Sequence, residues 1–258
     1  MKILRYSADG EIHYGILEED GTVRRLIDSP FESLDTSDVV THLDQVRVLA
    51  PVEAPRVIGV GLNYSEHARE SGQDPPPFPM LFMKPSTGVI GPEEPIIYPH
   101  QGKEIHYECE LAVVIGKTAR RVSDAEALDC VLGYTCGNDV SERVIQAAEM
   151  ALGCMLIGKG FDTFCPLGPV IATGLDPTHL DVTTRLNGEV RQQANTSDLL
   201  FSVAQLISYI SEAMTLLPGD VIMTGTPSGV GPFAPGDTIE IEISGIGILR
   251  NPVVAETR

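Results

Sequence analysis

Basic residues and tryptophan are the two conspicuous shortages of this 258-residue sequence. Lysine and arginine number 18 against 36 aspartates and glutamates, which gives a formal net charge of −18, and tryptophan is absent. A chain this acidic repels nucleic acid and anionic membranes, so we expect neither as a partner. Abundant surface carboxylates mainly serve solubility, and they leave open whether a positively charged pocket lies inside.

Long apolar runs are also missing from the sequence. No stretch reaches the roughly 20 apolar residues that a membrane-spanning helix needs. The N-terminal segment likewise contains no apolar core of a signal peptide. We therefore expect a cytoplasmic protein.

Cysteines are few and show no pairing pattern. They are Cys109, Cys130, Cys136, Cys154 and Cys165. Their number is odd and no C-x-x-C pair occurs, which disfavours a zinc site or a disulfide framework. Buried free thiols are the better interpretation.

The N-terminal part of the chain, residues 1–52, predicts a small separate domain. Its sequence indicates short strands broken by two Asp-Gly turns, at residues 9–10 and 20–21. Pro51 then marks a boundary, and we expect a larger catalytic domain over residues 53–258.

Most of the larger domain predicts short strands separated by glycine and proline turns. Three consecutive prolines exclude regular structure over residues 72–79, and a short helix is predicted before them, from Ser65 to Glu70. Two longer helices are expected, at about 140–151 and about 199–217. These features predict a mostly-β protein of the α+β class.

A pair of glutamates lies on one predicted strand, in the segment IHYECELAVVIG. Apolar residues alternate along it, so Glu108 and Glu110 share the opposite face with His106. That face continues with Ala112 and Val114, which indicates apolar surroundings. Buried carboxylates need a cation or a proton, so the two glutamates are candidate metal ligands.

An ordinary polar strand face explains the same spacing equally well. The segment TIEIEIS repeats it with Glu240 and Glu242, and there the flanking positions are a threonine and a serine, as on a solvated face. Spacing alone therefore leaves both interpretations of Glu108 and Glu110 open.

Asp139, in GYTCGNDVSERVIQ, is the third candidate. It suits the N-cap of the following helix, with Glu142 completing a capping box, and a cap can also be a ligand because a carboxylate has two oxygens. Arg143 and Gln146 follow on the same side of that helix. Three carboxylates suggest a hard cation, Mg²⁺, Mn²⁺ or Ca²⁺, rather than Zn²⁺.

The order of several motifs resembles the fumarylacetoacetate hydrolase superfamily. The matching segments are VGLNYSEHARESG, FMKPST, HYECELAVVIG, GYTCGNDVSERVIQ, GKGFDTFCPLGP and LPGDVIMTGTPSGVG. They cover roughly residues 55–252. The resemblance implies a mixed β-sandwich roll with a small N-terminal β-rich domain, usually in a homodimer, and Mg²⁺ or Mn²⁺ held by Glu108, Glu110 and Asp139.

The same resemblance implies roles for further residues. His67 and Glu70, one helical turn apart, correspond to a His–Glu pair on a mobile lid that activates water. Lys159 corresponds to a lysine that helps to hold the substrate and its developing negative charge. The pocket-lining positions of the family correspond to Lys84, Arg143 and Gln146. Thr226 corresponds to a loop threonine that lines the pocket and meets the substrate carboxylate. No aromatic residue stands near VIQ and no tryptophan precedes GKGFD, so the motifs leave the substrate tail open.

The resemblance implies an enzyme acting on a small 2-oxo acid. The first hypothesis is hydrolysis of an acylpyruvate, in which His67 and Glu70 activate water and C–C cleavage leaves a pyruvate enolate. Alternatives on the same site are oxaloacetate decarboxylation, isomerisation or hydration of 2-hydroxyhepta-2,4-diene-1,7-dioate, dehydration, and ureidoglycolate cleavage. A catalytically silent protein that only binds the metal is the hypothesis of another class.

Overall fold

Strands dominate the computed structural model, which describes residues 1–257 and confirms the mostly-β α+β class. The last residue of the predicted 53–258 domain lies outside the described residues. The strands are β1 Lys2–Ala8, β2 Glu11–Leu17, β3 Thr22–Leu26, β4 Thr36–His42, β5 Arg47–Val48, β6 Val57–Gly61, β7 Met80–Lys84, β8 Val89–Ile90, β9 Ile96–Tyr98, β10 Ile105–Tyr107, β11 Cys109–Ile115, β12 Val131–Asn138, β13 Ser141–Glu142, β14 Cys165–Ala172, β15 Asp181–Leu186, β16 Glu189–Asn195, β17 Val221–Met223, β18 Gly231–Pro232, β19 Thr238–Ile243 and β20 Gly247–Ala255. The α-helices are α1 Ser65–Glu70, α2 Asp124–Ala127, α3 Arg143–Met150 and α4 Val203–Ala213. Short 3-10 turns cover Leu43–Gln45, Ser86–Gly88, Leu128–Cys130, Ile157–Lys159 and Thr196–Asp198.

One large sheet combines the N-terminal strands with strands of the larger domain. Its strand order is β4-β3-β2-β1-β14-β12-β11-β17-β6-β7, with β5 paired to β1 and β8 to β14. The N-terminal strands join it where β1 pairs with β14 and Ile3 lies opposite Ile171. The N-terminal segment and the rest of the chain therefore share a continuous hydrogen-bonded sheet.

A five-stranded sheet, β16-β15-β19-β20-β9, packs on the large one. Strand β11 contacts β15 and strand β12 contacts β19 across the main apolar core, where Leu111, Cys136 and Ile241 are buried. The other side of β11 is covered as well, since Ala112 and Val114 pack in a second buried cluster. This confirms that the face carrying Glu110 continues into apolar surroundings.

The two predicted long helices are shorter in the structure. Because Ser141 and Glu142 pair with β10, the first helix begins at Arg143 rather than at about residue 140. The prediction that Asp139 caps it is wrong: the Glu142 side chain is the cap and accepts a hydrogen bond from Ile145 N at 2.5 Å. The second helix covers Val203–Ala213, with Ser202 as its N-cap in a capping box.

The other local predictions have mixed outcomes. Helix α1 forms as expected, and residues 72–79 contain no helix or strand. Cys154 is exposed and corrects the expectation of buried thiols, which the other four cysteines confirm. Across residues 1–257, no helix has the length and apolarity to cross a bilayer.

Candidate active site

Strand pairing brings the three candidate carboxylates together. The antiparallel register of β11 and β12 sets Cys109 opposite Asn138. Beyond it, Asp139 N donates to the Glu108 carbonyl at 2.9 Å, and Glu108 N donates to Asn138 Oδ1 at 3.0 Å. The predicted continuous strand breaks at this point, because Glu108 lies between β10 and β11.

The carboxylate oxygens form one compact cluster. One oxygen from each of Glu108, Glu110 and Asp139 lies within 4.8 Å of the other two, and all three residues are buried. An aspartate 31 positions away from Glu108 is thus held next to it by the strand pairing alone.

Three basic side chains surround the cluster. Lys159 Nζ lies 2.9 Å from Glu108 Oε2 and 2.5 Å from Asp139 Oδ2. Arg143 Nη2 lies 2.6 Å from Glu108 Oε1, and Lys84 Nζ lies 2.5 Å from Asp139 Oδ1. The charges of the three carboxylates are therefore matched by three cations, but the cations are concentrated on Glu108 and Asp139.

Glu110 differs from its two neighbours. Its Oε2 accepts a hydrogen bond from Gly225 N at 2.7 Å, and no basic side chain within residues 1–257 forms an ion pair with it. Burial raises the pKa of its carboxyl well above the ordinary value, and the charges of Asp139 and Glu108 raise it further. By contrast, the charges of Lys159 and Arg143 outweigh burial and hold the pKa of Glu108 well below its usual range.

This arrangement fits a hard divalent cation. The available donors are carboxylate oxygens only, which suit Mg²⁺ or Mn²⁺ better than Zn²⁺. A cation between the three carboxylates would supply Glu110 with the positive charge that no side chain gives it. Glu108, Glu110 and Asp139 are therefore the residues that could hold a metal.

Two members of the cluster, Glu108 and Glu110, form the floor of a cavity of about 470 Å³. Eight of the predicted site residues line it, namely His67, Glu70, Glu108, Glu110, Arg143, Gln146, Lys159 and Thr226. Asp139 and Lys84 lie behind this wall. Lys84 corrects the expectation that it lines the pocket, because its side chain is fully buried and its Nζ also contacts the carbonyls of Val140 and Lys159.

The His–Glu pair stands on α1 at the wall of the cavity. His67 Nδ1 lies 3.2 Å from Glu70 Oε2, and both Glu70 oxygens accept from Gly229 N, at 3.1 and 3.2 Å. His67 is buried, whereas the Glu70 side chain is 40% exposed. The pair thus joins the helix to the loop that follows Thr226 and keeps contact with solvent.

Sequence reasoning missed Glu149, which shapes the site without lining it. Its carboxylate accepts hydrogen bonds from the backbone N–H groups of Leu156, Ile157 and Gly158, at 3.1, 2.7 and 2.9 Å. These groups belong to the turn that ends at Lys159. The only signal in the sequence was its place on the helix of Arg143, one turn after Gln146.

Comparison with known proteins assigns the family. The model described as "Fumarylacetoacetate (FAA) hydrolase C-terminal" matches residues 56–254. The chain belongs to the fumarylacetoacetate hydrolase family. A second model, "Rv2993c-like, N-terminal", matches residues 1–51.

Relatives in this family are named for different activities. Protein Rv2993c of Mycobacterium tuberculosis is 45% identical over 96% of this chain and 92% of its own. The mitochondrial oxaloacetate tautomerase FAHD2A of Bos taurus is 41% identical over 86% of this chain and 74% of its own. The crystal structure of a 5-carboxymethyl-2-hydroxymuconate delta-isomerase from Mycobacterium smegmatis superposes with a TM-score of 0.93, at 43% identity, over 99% of this chain and 100% of its own.

Proposed function

We propose that this enzyme moves a proton on a small 2-oxo acid through its enolate, as an isomerase or tautomerase. The observation that carries the proposal is the His67–Glu70 pair on the wall of a cavity whose floor is formed by Glu108 and Glu110 of the carboxylate cluster. Relatives named as an oxaloacetate tautomerase and as a delta-isomerase support the same reaction class. Both reactions relocate a proton next to a carbonyl group.

Glu108, Glu110 and Asp139 would hold Mg²⁺ or Mn²⁺ in this proposal. When bound, such a cation supplies a Lewis acid that stabilises negative charge on the 2-oxo oxygen. The side chains around the cluster already balance its charge, with Lys84, Arg143 and Lys159 as the cations. A divalent cation would leave a positive surplus, which favours a dianionic substrate such as a short dicarboxylic 2-oxo acid.

His67 would carry the proton. Since the Glu70 carboxylate accepts from Nδ1 at 3.2 Å, the Nδ1 proton is held in place and Nε2 is left free to take a proton from the substrate. Lys159, buried at the floor, would stabilise the negative charge that then develops. Thr226, on the cavity wall, would donate a hydrogen bond to the substrate carboxylate.

Hydrolysis of an acylpyruvate is the second candidate. It needs water next to the base, and the 40% exposure of the Glu70 side chain gives water a path to the pair. The same His67 would then remove a proton from water rather than from the substrate. Oxaloacetate decarboxylation would use the same enolate but release CO₂.

A substrate panel with the Mg²⁺-loaded protein tests the proposal. Enol oxaloacetate, 2-hydroxyhepta-2,4-diene-1,7-dioate and acetylpyruvate would be followed by proton NMR, which separates tautomer, isomer, hydrolysis and decarboxylation products. We expect His67→Ala to slow whichever reaction the panel reveals by about 10²- to 10⁴-fold. His179 is exposed and lies outside the cavity, so His179→Ala should leave the rate unchanged. Absence of every reaction in a protein that still binds Mg²⁺ would instead support a silent binder.

A further inference from the structure

Gln192 is a buried amide that connects two parts of the site. It stands on β16 of the five-stranded sheet, outside every motif of the sequence, and is 1% exposed. We infer that Gln192 is a positioning residue that forces the Thr226 hydroxyl to donate its proton into the cavity, toward a substrate carboxylate. The inference rests on the proposed function for the identity of the acceptor.

The orientation of the Gln192 amide is fixed by two partners that each have a single hydrogen-bonding role. Its Oε1 lies 3.0 Å from Cys109 N, which can only donate. Its Nε2 lies 2.9 Å from the Pro227 carbonyl oxygen, which can only accept. Exchanging the oxygen and nitrogen of the amide would break both bonds, so Nε2 must face the loop of Thr226.

The second Nε2 proton determines what Thr226 can do. Gln192 Nε2 donates to Thr226 Oγ1 at 2.8 Å, so the hydroxyl oxygen acts there as an acceptor. A hydroxyl has one proton to donate, and within residues 1–257 no acceptor takes it. Thr226 lines the cavity and is 3% exposed, so its proton is available to an acceptor inside the cavity.

The same amide also connects the loop of Thr226 to strand β11, which carries Glu110. Gln192 accepts a hydrogen bond from the N–H of Cys109, which stands between Glu108 and Glu110. Gly225, next to Thr226, donates to Glu110. Thr184 Oγ1 donates to the Gln192 oxygen at 2.7 Å and completes the partners of the amide. Gln192 therefore fixes Thr226 relative to the carboxylates as well as the direction of its hydroxyl proton.

Gln192→Glu is the sharpest test, because a carboxyl group keeps the shape and still accepts from Cys109. When burial keeps this group protonated, its single proton is taken by the Pro227 carbonyl, so in either state it cannot donate to Thr226. The Thr226 proton would then turn toward residue 192 and away from the cavity. Losing one hydrogen bond to a charged group costs about 1.5–3 kcal/mol. We therefore expect KM to rise roughly tenfold to a hundredfold, with kcat changed by less than about threefold. Thr184→Val is the matched control, since it removes a partner of Oε1 but keeps the Nε2 contact, and its KM should stay within about twofold.

A double-mutant cycle covers the case in which Gln192→Glu folds poorly. Gln192→Met should raise KM by a clearly smaller factor in a Thr226→Val background than in the wild-type background, because the hydroxyl is already gone there and only the contacts to Cys109 and Pro227 remain to be lost. Additive losses, or an unchanged KM in folded Gln192→Glu protein, would overturn the inference. Calorimetric binding of oxalate to the Mg²⁺-loaded variants gives a second readout. It should weaken in the same pattern even if the substrate panel shows no turnover, which separates failure of this inference from failure of the proposed function.

Discussion

Two Glu-x-Glu segments of this protein have the same spacing and opposite surroundings. Glu108 and Glu110 are 4% and 1% exposed. Glu240 and Glu242 on β19 have side chains that are 27% and 42% exposed. The first pair lies on the floor of a cavity and clusters with Asp139 behind it, whereas each glutamate of the second pair meets an arginine at the surface.

The difference arises from how many faces of each strand are covered. Strand β19 packs Ile239, Ile241 and Ile243 inward, and its glutamates alternate with them toward solvent. Strand β11 is buried on both faces, so Glu110 cannot reach bulk water. Spacing sets which side chains share a face, and the covering of that face decides whether they need a cation.

The largest expected effect is the loss of unfolding free energy when the buried glutamate pair loses Lys159, which pairs with Glu108. Burial lowers the pKa of Lys159, but the charges of Asp139 and Glu108 outweigh it and raise that pKa, so the ammonium group stays charged. Lys159→Met would leave two buried carboxylates short of a cation, and we expect the metal-free protein to lose about 3–5 kcal/mol of unfolding free energy. Urea unfolding followed by circular dichroism measures this loss.

Arg185→Met is the matched control at the exposed pair, where Arg185 Nη1 lies 2.6 Å from Glu242 Oε2. Because both side chains contact solvent, we expect a loss within about 1 kcal/mol. Added Mg²⁺ should restore part of the stability of Lys159→Met and have no such effect on Arg185→Met. Equal losses in the two variants would contradict the contrast between the pairs.

The next effect is on cation affinity. If Glu110 is a ligand, Glu110→Ala should weaken Mg²⁺ or Mn²⁺ binding by at least about a hundredfold. Loss of a residue that only hydrogen-bonds to a metal ligand already costs up to about a hundredfold in metal affinity. Glu242→Ala removes the same side chain from the same position of the other segment and should leave affinity unchanged. Isothermal calorimetry with chelator-treated protein measures both. A Glu110→Ala variant with wild-type affinity would exclude this cluster as the metal site.

Short-range patterns predicted the elements around the site, whereas the roles of its residues were implied by motifs that resemble a known family. The mostly-β class, the α1 helix that carries His67 and Glu70, and the apolar continuation after Glu110 all follow from residues close in sequence. The N-cap assignment of Asp139 was wrong because Ser141 and Glu142 pair with β10, a contact between distant segments. Gln192 could not be found in this way, since its partners lie 8 to 83 positions away.

Glu149 should give an intermediate effect, because it is neither buried like Glu110 nor solvated like Glu242. Burial would raise the pKa of its carboxyl, but hydrogen bonds from the backbone of Gly158, Ile157 and Leu156 outweigh it and lower that pKa. The folded-state pKa is depressed, so this stabilisation is present above the unfolded value of 4.5 and is lost as pH falls through the folded value. Glu149→Gln should cost about 1 kcal/mol at neutral pH.

Unfolding measured across the acid range tests that sign. The gap between the unfolding free energies of wild type and Glu149→Gln should narrow as pH falls from 4.5 through the depressed pKa, because the wild-type carboxyl then becomes neutral as well. Since the turn held by Glu149 presents Lys159, the variant should also lower kcat modestly at neutral pH. A gap that widens in acid would show that the carboxylate is not what holds the turn.

The smallest effect belongs to the exposed pair itself. Glu240→Gln and Glu242→Gln each remove one surface charge whose partner, Arg250 or Arg185, also contacts solvent. We expect each to change the unfolding free energy by no more than about 0.5 kcal/mol and the Mg²⁺ affinity not at all. Raising the salt concentration should shrink even this difference, because exposed ion pairs are screened. A loss of Mg²⁺ affinity comparable to that expected of Glu110→Ala would mean that the covering of the strand face is not what separates the two Glu-x-Glu segments.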